Sequence, residues 1–179
     1  MGSSSDSKIM HPAARILDEF KVRHEDQIVS AHRTPTRLTD YATHAEKSGF
    51  KVIIAGAGGS AHLPGMIASH TIIPVIGVPI MVYNDKSEKN PNMFKSSAFG
   101  GLDSLLSISE MPTGSPVVTV GINKAANAGL YALKILANEF EVLSKKLKKH
   151  KNDQHRLVVR ESDKMKRMGL TRFAKKKFG

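Results

Sequence analysis

Three short segments hold most of the side chains that could do chemistry. In Ser30-Ala-His-Arg-Thr-Pro35 an imidazole stands beside a guanidinium, just ahead of a helix that starts on proline. His32 is the side chain type suited to moving a proton near neutral pH, and the planar fork of Arg33 suits a phosphate. Gly2-Ser-Ser-Ser-Asp6 brings the Ser3 and Ser5 hydroxyls to a helix start, where unpaired N–H groups and the helix dipole favour an anion. Gly56-Ala-Gly-Gly-Ser-Ala-His62 strips side chains from the backbone, so that a flat ring can rest on backbone amides with His62 and Leu63 as a wall. Taken singly, each segment also fits a capped helix, a surface histidine or a structural glycine turn.

The elements that must position these segments follow from periodicity. Ile9, Ala13, Ile16, Leu17 and Phe20 share one helical face, with Asp6 or Ser7 as the cap. Gln27 to Ser30 is short and β-leaning. Thr34-Pro35 starts a second helix with a Leu38, Tyr41, Ala42 and Ala45 stripe, ended by Gly49. Lys51 to Ala55 is a buried strand, a short helix runs from about Leu63 to Ser69, and Pro74 to Val78 is a further strand. A helix over Gly101 to Ser109, a strand over Val117 to Val120 and a long helix from Ala125 complete the pattern. Strands alternating with helices predict an α/β fold with a doubly wound parallel sheet, and in such sheets ligands bind at the carboxyl ends of the strands. All three segments are expected there.

Gly56, Gly58 and Ala61 also spell Gly-x-Gly-x-x-Ala, so a dinucleotide fold has to be weighed. Against it, at least one β-α unit precedes the motif, and the ribose-binding acid expected about 20 residues on is represented only by Asp85 in a polar loop. That loop, about residues 84–96, reads as a surface insertion.

The chain has 179 residues, enough for one domain with additional material and a buried core. It has no cysteine, which excludes disulfides, thiolate metal sites and a cysteine nucleophile. His11, His24, His44 and His70 have no carboxylate at ligand spacing, so no metal is assigned. No apolar run approaches the roughly 20 residues of a membrane span, and no signal peptide is evident; a soluble, cytoplasmic protein is expected. The net charge of +11 is carried by residues 145–179, with 14 Lys and Arg against three acids, while residues 1–144 balance at 13 and 13. A division follows into an α/β domain, 1–144, and a basic helix and tail, 145–179. Leu133, Leu136, Phe140, Leu143 and Leu147 predict that the helix from Ala125 runs on past Lys145, with a frayed end from Gly169.

Read jointly, the segments resemble the N5-carboxyaminoimidazole ribonucleotide mutase family, the catalytic part of phosphoribosylaminoimidazole carboxylase in purine biosynthesis. The resemblance rests on Gly-Ser-x-Ser-Asp, Ser-Ala-His-Arg-Thr-Pro and Gly-Ala-Gly-Gly-x-Ala-His-Leu-Pro-Gly-Met at 56–66. It continues through Pro74 to Pro79, Gly101 to Ile108, Met111-Pro112 and Pro116-Val117, and spans roughly residues 2–143.

The resemblance implies a flavodoxin-like three-layer fold, an octamer, and migration of a carboxyl group from the exocyclic nitrogen to C4 of an aminoimidazole ribonucleotide. CO2 is the intermediate, with no cofactor and no metal. It implies His32 as general acid and then base, and Ser3 and Arg33 on the phosphate, with Ser5 and Ser30 beside them. Asp6 falls on the ribose, the amides of Ala57, Gly58 and Gly59 on the migrating carboxylate, and His62 and Leu63 exclude water. A functional link to the ATP-dependent carboxyaminoimidazole ribonucleotide synthase is also implied. A related branch carboxylates the ribonucleotide directly with CO2; it shows Ser-Ala-His-Lys and lacks the 56–64 block, so Arg33 favours the mutase. Family members carry a hydrophobic strand before Met-Gly-Ser, so the first, central strand is expected to be missing here. Two rivals remain: an inactive assembly subunit of the same fold, and a basic-tail nucleic-acid binder, disfavoured because only Phe173 and Phe178 supply aromatics to the tail.

Overall fold

A computed structural model describes residues 1–81 and 99–178. The expected surface loop at 84–96, with Asp85, lies outside the described residues. Three parallel strands, β1 (Ile53–Gly58), β2 (Val75–Ile80) and β3 (Val118–Thr119), lie in the order β1-β2-β3. Ile53 is opposite Val75, and Gly58 opposite Ile80. The first strand is displaced from the expected Lys51–Ala55. Glycines weaken strands, so the pattern ends it at Ala55, whereas packing carries it through Gly56 and Gly58. A Cβ on Gly56 would collide with Met10 Sδ, so this glycine lets α1 approach the sheet.

Helices cover both faces. On one lie α1 (Ser7–Glu19) and α5 (Ala125–Leu136), joined by a core of Met10, Ala13, Ile76, Val78, Ile80, Ala125, Ala128 and Ala132. On the other, Leu38 and Ala42 of α2 (Pro35–Ala45), Leu63 and Ile67 of α3 (His62–Ala68) and Ile108 of α4 (Leu102–Ser109) pack with Ile53, Ala55 and Ala57 of β1. Successive residues of β1 serve opposite layers, as a pleated strand between two helix layers requires. Leu38, Ile76, Ile108 and Leu133 are fully buried, and truncating any of them to alanine costs about 2–5 kcal/mol.

No strand is assigned to Gln27–Ser30. This segment is nevertheless held by backbone bonds: the Met1 amine donates to Gln27 O at 2.9 Å and Val29 N–H to Met1 O at 2.9 Å, while Gly2 N–H donates to Gly56 O at 3.2 Å. Met1 and Gly2 thus run between the 27–29 segment and β1.

The described residues divide into two compact units, 1–136 and 137–179; the charge boundary at 144/145 falls inside α6 (Glu141–Met168). The expected continuous helix from Ala125 is interrupted over residues 137–140, and Phe140 becomes the N-cap of α6. The expected frayed end is instead a further helix, α7 (Leu170–Phe178), separated from α6 by Gly169 at φ +76°. Lys177 pairs with Glu161 and lies 5.6 Å over the Phe173 ring, which ties α7 to α6. Among the described residues no helix is long and apolar enough to cross a membrane.

Candidate active site

The serine-rich start is a capping box rather than a simple N-cap. Ser3 caps a 3-10 turn, Ser4–Asp6, that leads directly into α1, and Ser3 N–H donates to Asp6 Oδ2 at 2.9 Å in return. Neither Asp6 nor Ser7 makes the side-chain cap expected from the sequence; Ser3 does, one turn earlier. Ser3 Oγ accepts from Ser5 N–H and, at 3.0 Å, from Ser5 Oγ, so among the described residues its own proton has no acceptor and can meet a ligand. Asp6 is buried, at 6% exposure. Burial raises its carboxyl above the usual range, opposed by the Ser3 N–H, the terminal amine, the Gly2 N–H and Ser5. Among the described residues its Oδ1 makes a long 3.5 Å contact with Ser5 Oγ, leaving it able to accept another hydrogen bond.

The second segment is locked by its own side chains. Thr34 Oγ1 accepts from Ser30 N–H at 2.9 Å and donates to Ser30 O at 3.1 Å, closing the turn before α2. Ser30 Oγ accepts from Arg33 N–H and Arg33 Nε, and Arg33 Nη2 donates to Gly2 O at 3.2 Å. The guanidinium is therefore aimed from two directions, with N–H groups left over for an anion. An exposed arginine held in this way loses less entropy on binding than a free one.

The glycine-rich segment turns from β1 into α3. Gly59 adopts φ +61°, and the backbone of Ala61 is also left-handed, at φ +41°, a conformation uncommon outside glycine. Ser107 Oγ of α4 donates to Ser60 O and anchors the bend. The Gly-x-Gly-x-x-Ala match is explained by this geometry: Gly56 and Gly58 lie within β1, so the strand–turn–helix phosphate loop of a dinucleotide site is not formed by them. Ala57 and Leu63 are buried, and His62 is exposed.

The three segments converge. Gly2 touches both others, through Arg33 on one side and Gly56 on the other. His32 Nε2 and His62 Nδ1 are 2.8 Å apart, with the rings edge to face at 5.0 Å between centroids. Ser3, Ser5, Asp6, Ser30, His32, Arg33 and His62 thus form one bonded neighbourhood at the carboxyl end of β1, where Ala57 and Gly58 close the strand and Gly59 follows it.

Sequence reasoning missed three contributors. They are the carbonyl of Gly2, the hydroxyl of Thr34 and the anchor from Ser107. The first and last act across long chain separations and carry no local signal, whereas Thr34, four residues after Ser30, was readable as a side-chain-to-backbone turn.

Residues 1–156 match the AIR carboxylase family. The chain belongs to the AIR carboxylase family. It is 50% identical over 173 residues to an N5-carboxyaminoimidazole ribonucleotide mutase from Pyrococcus horikoshii, covering 97% of this chain and 90% of that protein. It is 46% identical over 177 residues to the protein of the same name from Thermotoga maritima, covering 99% and 95%. A chloroplastic phosphoribosylaminoimidazole carboxylase from Vigna aconitifolia is 46% identical over 175 residues, 98% of this chain but 29% of that longer protein. The crystal structure of Treponema denticola PurE shares the fold, with a TM-score of 0.75 at 24% identity, over 93% of this chain and 95% of that one. AIR carboxylase membership thus rests on an alignment that contains every residue of the converged neighbourhood.

Proposed function

We propose that this protein is an isomerase of purine biosynthesis that moves the carboxyl group of N5-carboxyaminoimidazole ribonucleotide from the exocyclic nitrogen to C4. The observation that carries the reading is the joining of His32, Arg33 and the Ser3–Asp6 turn to the glycine-rich end of β1 through Gly2 and His62, in a chain of the AIR carboxylase family.

The geometry suits each step. Arg33, aimed by Ser30 and Gly2, and the free hydroxyl proton of Ser3 take the phosphate; Ser5 supports Ser3, and Asp6 Oδ1 accepts from a ribose hydroxyl. His32 gives a proton to the exocyclic nitrogen as the bond from that nitrogen to the carboxyl carbon breaks, releasing CO2 into the pocket. C4 attacks the CO2 carbon, and the C4 proton returns to His32, so the enzyme ends as it began. The amides of Ala57, Gly58 and Gly59 hold the carboxylate, and His62 and Leu63 keep water out. No other proton carrier is required.

We place the enzyme in the cytoplasm, acting as a homo-octamer and taking its carbamate from an ATP-dependent synthase. Exposed Ile72, Phe99, Leu102 and Leu106 support assembly, since apolar side chains of this size are commonly covered in an oligomer. Supplying the substrate labelled with 13C in its carboxyl group, in unlabelled bicarbonate and without ATP, tests the reaction. Labelled 4-carboxy product is expected. Unlabelled product would mean carboxylation from free CO2 instead, and no product would remove the enzyme reading.

A further inference from the structure

We propose that His62 is a positioning residue that fixes the tautomer and ring orientation of His32, reserving His32 Nδ1 as the nitrogen that exchanges a proton with the substrate. The observation is the 2.8 Å contact between His32 Nε2 and His62 Nδ1, made between two exposed rings crossed at 79°. Identifying the substrate rests on the mutase reading; the tautomer assignment does not.

Two nitrogens at this distance share one proton, so only two neutral arrangements exist. In the first, His32 Nε2–H donates to a bare His62 Nδ1. His32 Nδ1 is then a base, and His62 carries its proton on Nε2. In the second, His62 Nδ1–H donates to a bare His32 Nε2. His32 Nδ1 is then already protonated, and the pair's free base is His62 Nε2, on the far ring.

The reaction cycle distinguishes them. When His32 accepts a proton both of its nitrogens become donors, and His62 must accept at Nδ1. The first arrangement already meets that condition. His32 enters the cycle protonated on Nδ1 as well, gives that proton to the exocyclic nitrogen and takes the C4 proton back at the same atom, with no change in the bridge or in His62, and a hydrogen bond from the cation is the stronger kind. The second demands that the bridging proton jump before His32 can act. The first also puts both rings in the Nε2–H tautomer that an isolated histidine side chain favours. Among the described residues neither His32 Nδ1 nor His62 Nε2 has a protein partner, which leaves His32 Nδ1 open to the ligand.

His32 needs such a partner because, among the described residues, no other hydrogen bond holds its ring. The backbone of residues 30–34 is locked by Thr34 and Ser30, but no bond from that turn reaches the imidazole. Without His62 the ring is free to rotate and to sample both tautomers, so only a fraction of molecules present a base at the reacting position.

The test uses the full chain with 15N-labelled histidine, the His32 signals being assigned by their loss in His32→Asn. The neutral wild-type protein, without substrate, should show His32 purely as Nε2–H. His62→Leu should give shifts averaged over both tautomers and lower kcat at least tenfold with a smaller change in KM. His62→Asn places an amide oxygen near the position of Nδ1, and should restore the pure tautomer and recover most of the lost kcat. A wild-type His32 protonated on Nδ1 overturns the proposal, as does a His62→Leu protein with unchanged tautomer and kcat. So does a His62→Asn protein that keeps the tautomer but not the rate. A wild-type protein with the expected tautomer and no turnover contradicts the mutase reading while upholding the tautomer selection.

Discussion

Arg33 and Lys149 are both exposed cations on helix-flanking or helical backbone, and they differ in what constrains them. Arg33 is bonded by Nε to Ser30 Oγ and by Nη2 to Gly2 O, two groups from different parts of the chain. Lys149 has an i,i+4 partner, Asp153 at 2.8 Å, on the same solvent-facing side of α6. The contrast holds for the regions around them. The neighbourhood of β1's carboxyl end is joined across 30 and 31 residues through His62 and Gly2, whereas the pairs Lys145–Glu141 and Lys149–Asp153 each lie within one turn of α6. Charge alone therefore does not mark a site; charge held in a fixed direction by residues distant in sequence does.

The contrast can be broken at its strongest point by Arg33→Ala. Losing a charge-assisted fork should weaken the ribonucleotide by about 10- to 100-fold, from about 1.5–3 kcal/mol for such a bond, and leave the dephosphorylated nucleoside nearly unchanged. Calorimetry with both ligands checks it, and equal losses would remove Arg33 from the phosphate. Ser30→Ala should act in the same sense but less, by about 2- to 10-fold, because it releases the guanidinium without deleting it. A Ser30→Ala affinity equal to that of wild type would show that the aiming contact has no effect.

A subtler effect belongs to Asp6. Burial raises its carboxyl above 3.8, so the folded protein binds a proton that the unfolded chain has already lost. Stability contributed by this group is fully present below the unfolded pKa and is lost as pH rises through the folded one. Relative to Asp6→Asn, which keeps an acceptor for Ser3 N–H, the wild type should therefore lose stability as pH climbs from about 4 and then level off. Parallel urea titrations at each pH read this, and a constant difference between the two proteins would show that Asp6 is not strained by burial. Lys149→Ala should have the smallest effect, with Tm and turnover indistinguishable from wild type, since an exposed i,i+4 pair is weakly coupled to folding. A clear loss in either would show that the basic helices do more than face solvent.

Much of the candidate site could be named because its chemistry sits in contiguous motifs. His32, Arg33 and Ser3 stand out by residue type and by their place after strands, and Asp6 and residues 57–59 join them through the resemblance of the motifs. Their wiring could not, because His32 and His62 are 30 residues apart and Arg33 and Gly2 are 31 apart, distances over which spacing carries no information. The fold was legible to the level of alternating strands and helices on two faces. Boundaries failed where packing overrode propensity, as at Gly56, which remains in β1 because Met10 occupies the space of its missing side chain. The break at 137–140 was hidden for the opposite reason: Leu133, Leu136, Phe140 and Leu143 keep helical spacing across a segment, Ala-Asn-Glu-Phe, that contains neither proline nor glycine.

The central claim is that His32 carries the proton in a site otherwise devoted to binding, and His32→Asn tests it most directly. The variant should bind the carboxyamino ribonucleotide within a few-fold of wild type, because the proposed holders of phosphate and ribose, Arg33, Ser3 and Asp6, are untouched. Its conversion to the 4-carboxy isomer should fall by about 10²- to 10⁴-fold, the usual contribution of a positioned acid and base. Conversion near the wild-type rate, with binding intact, would contradict the account.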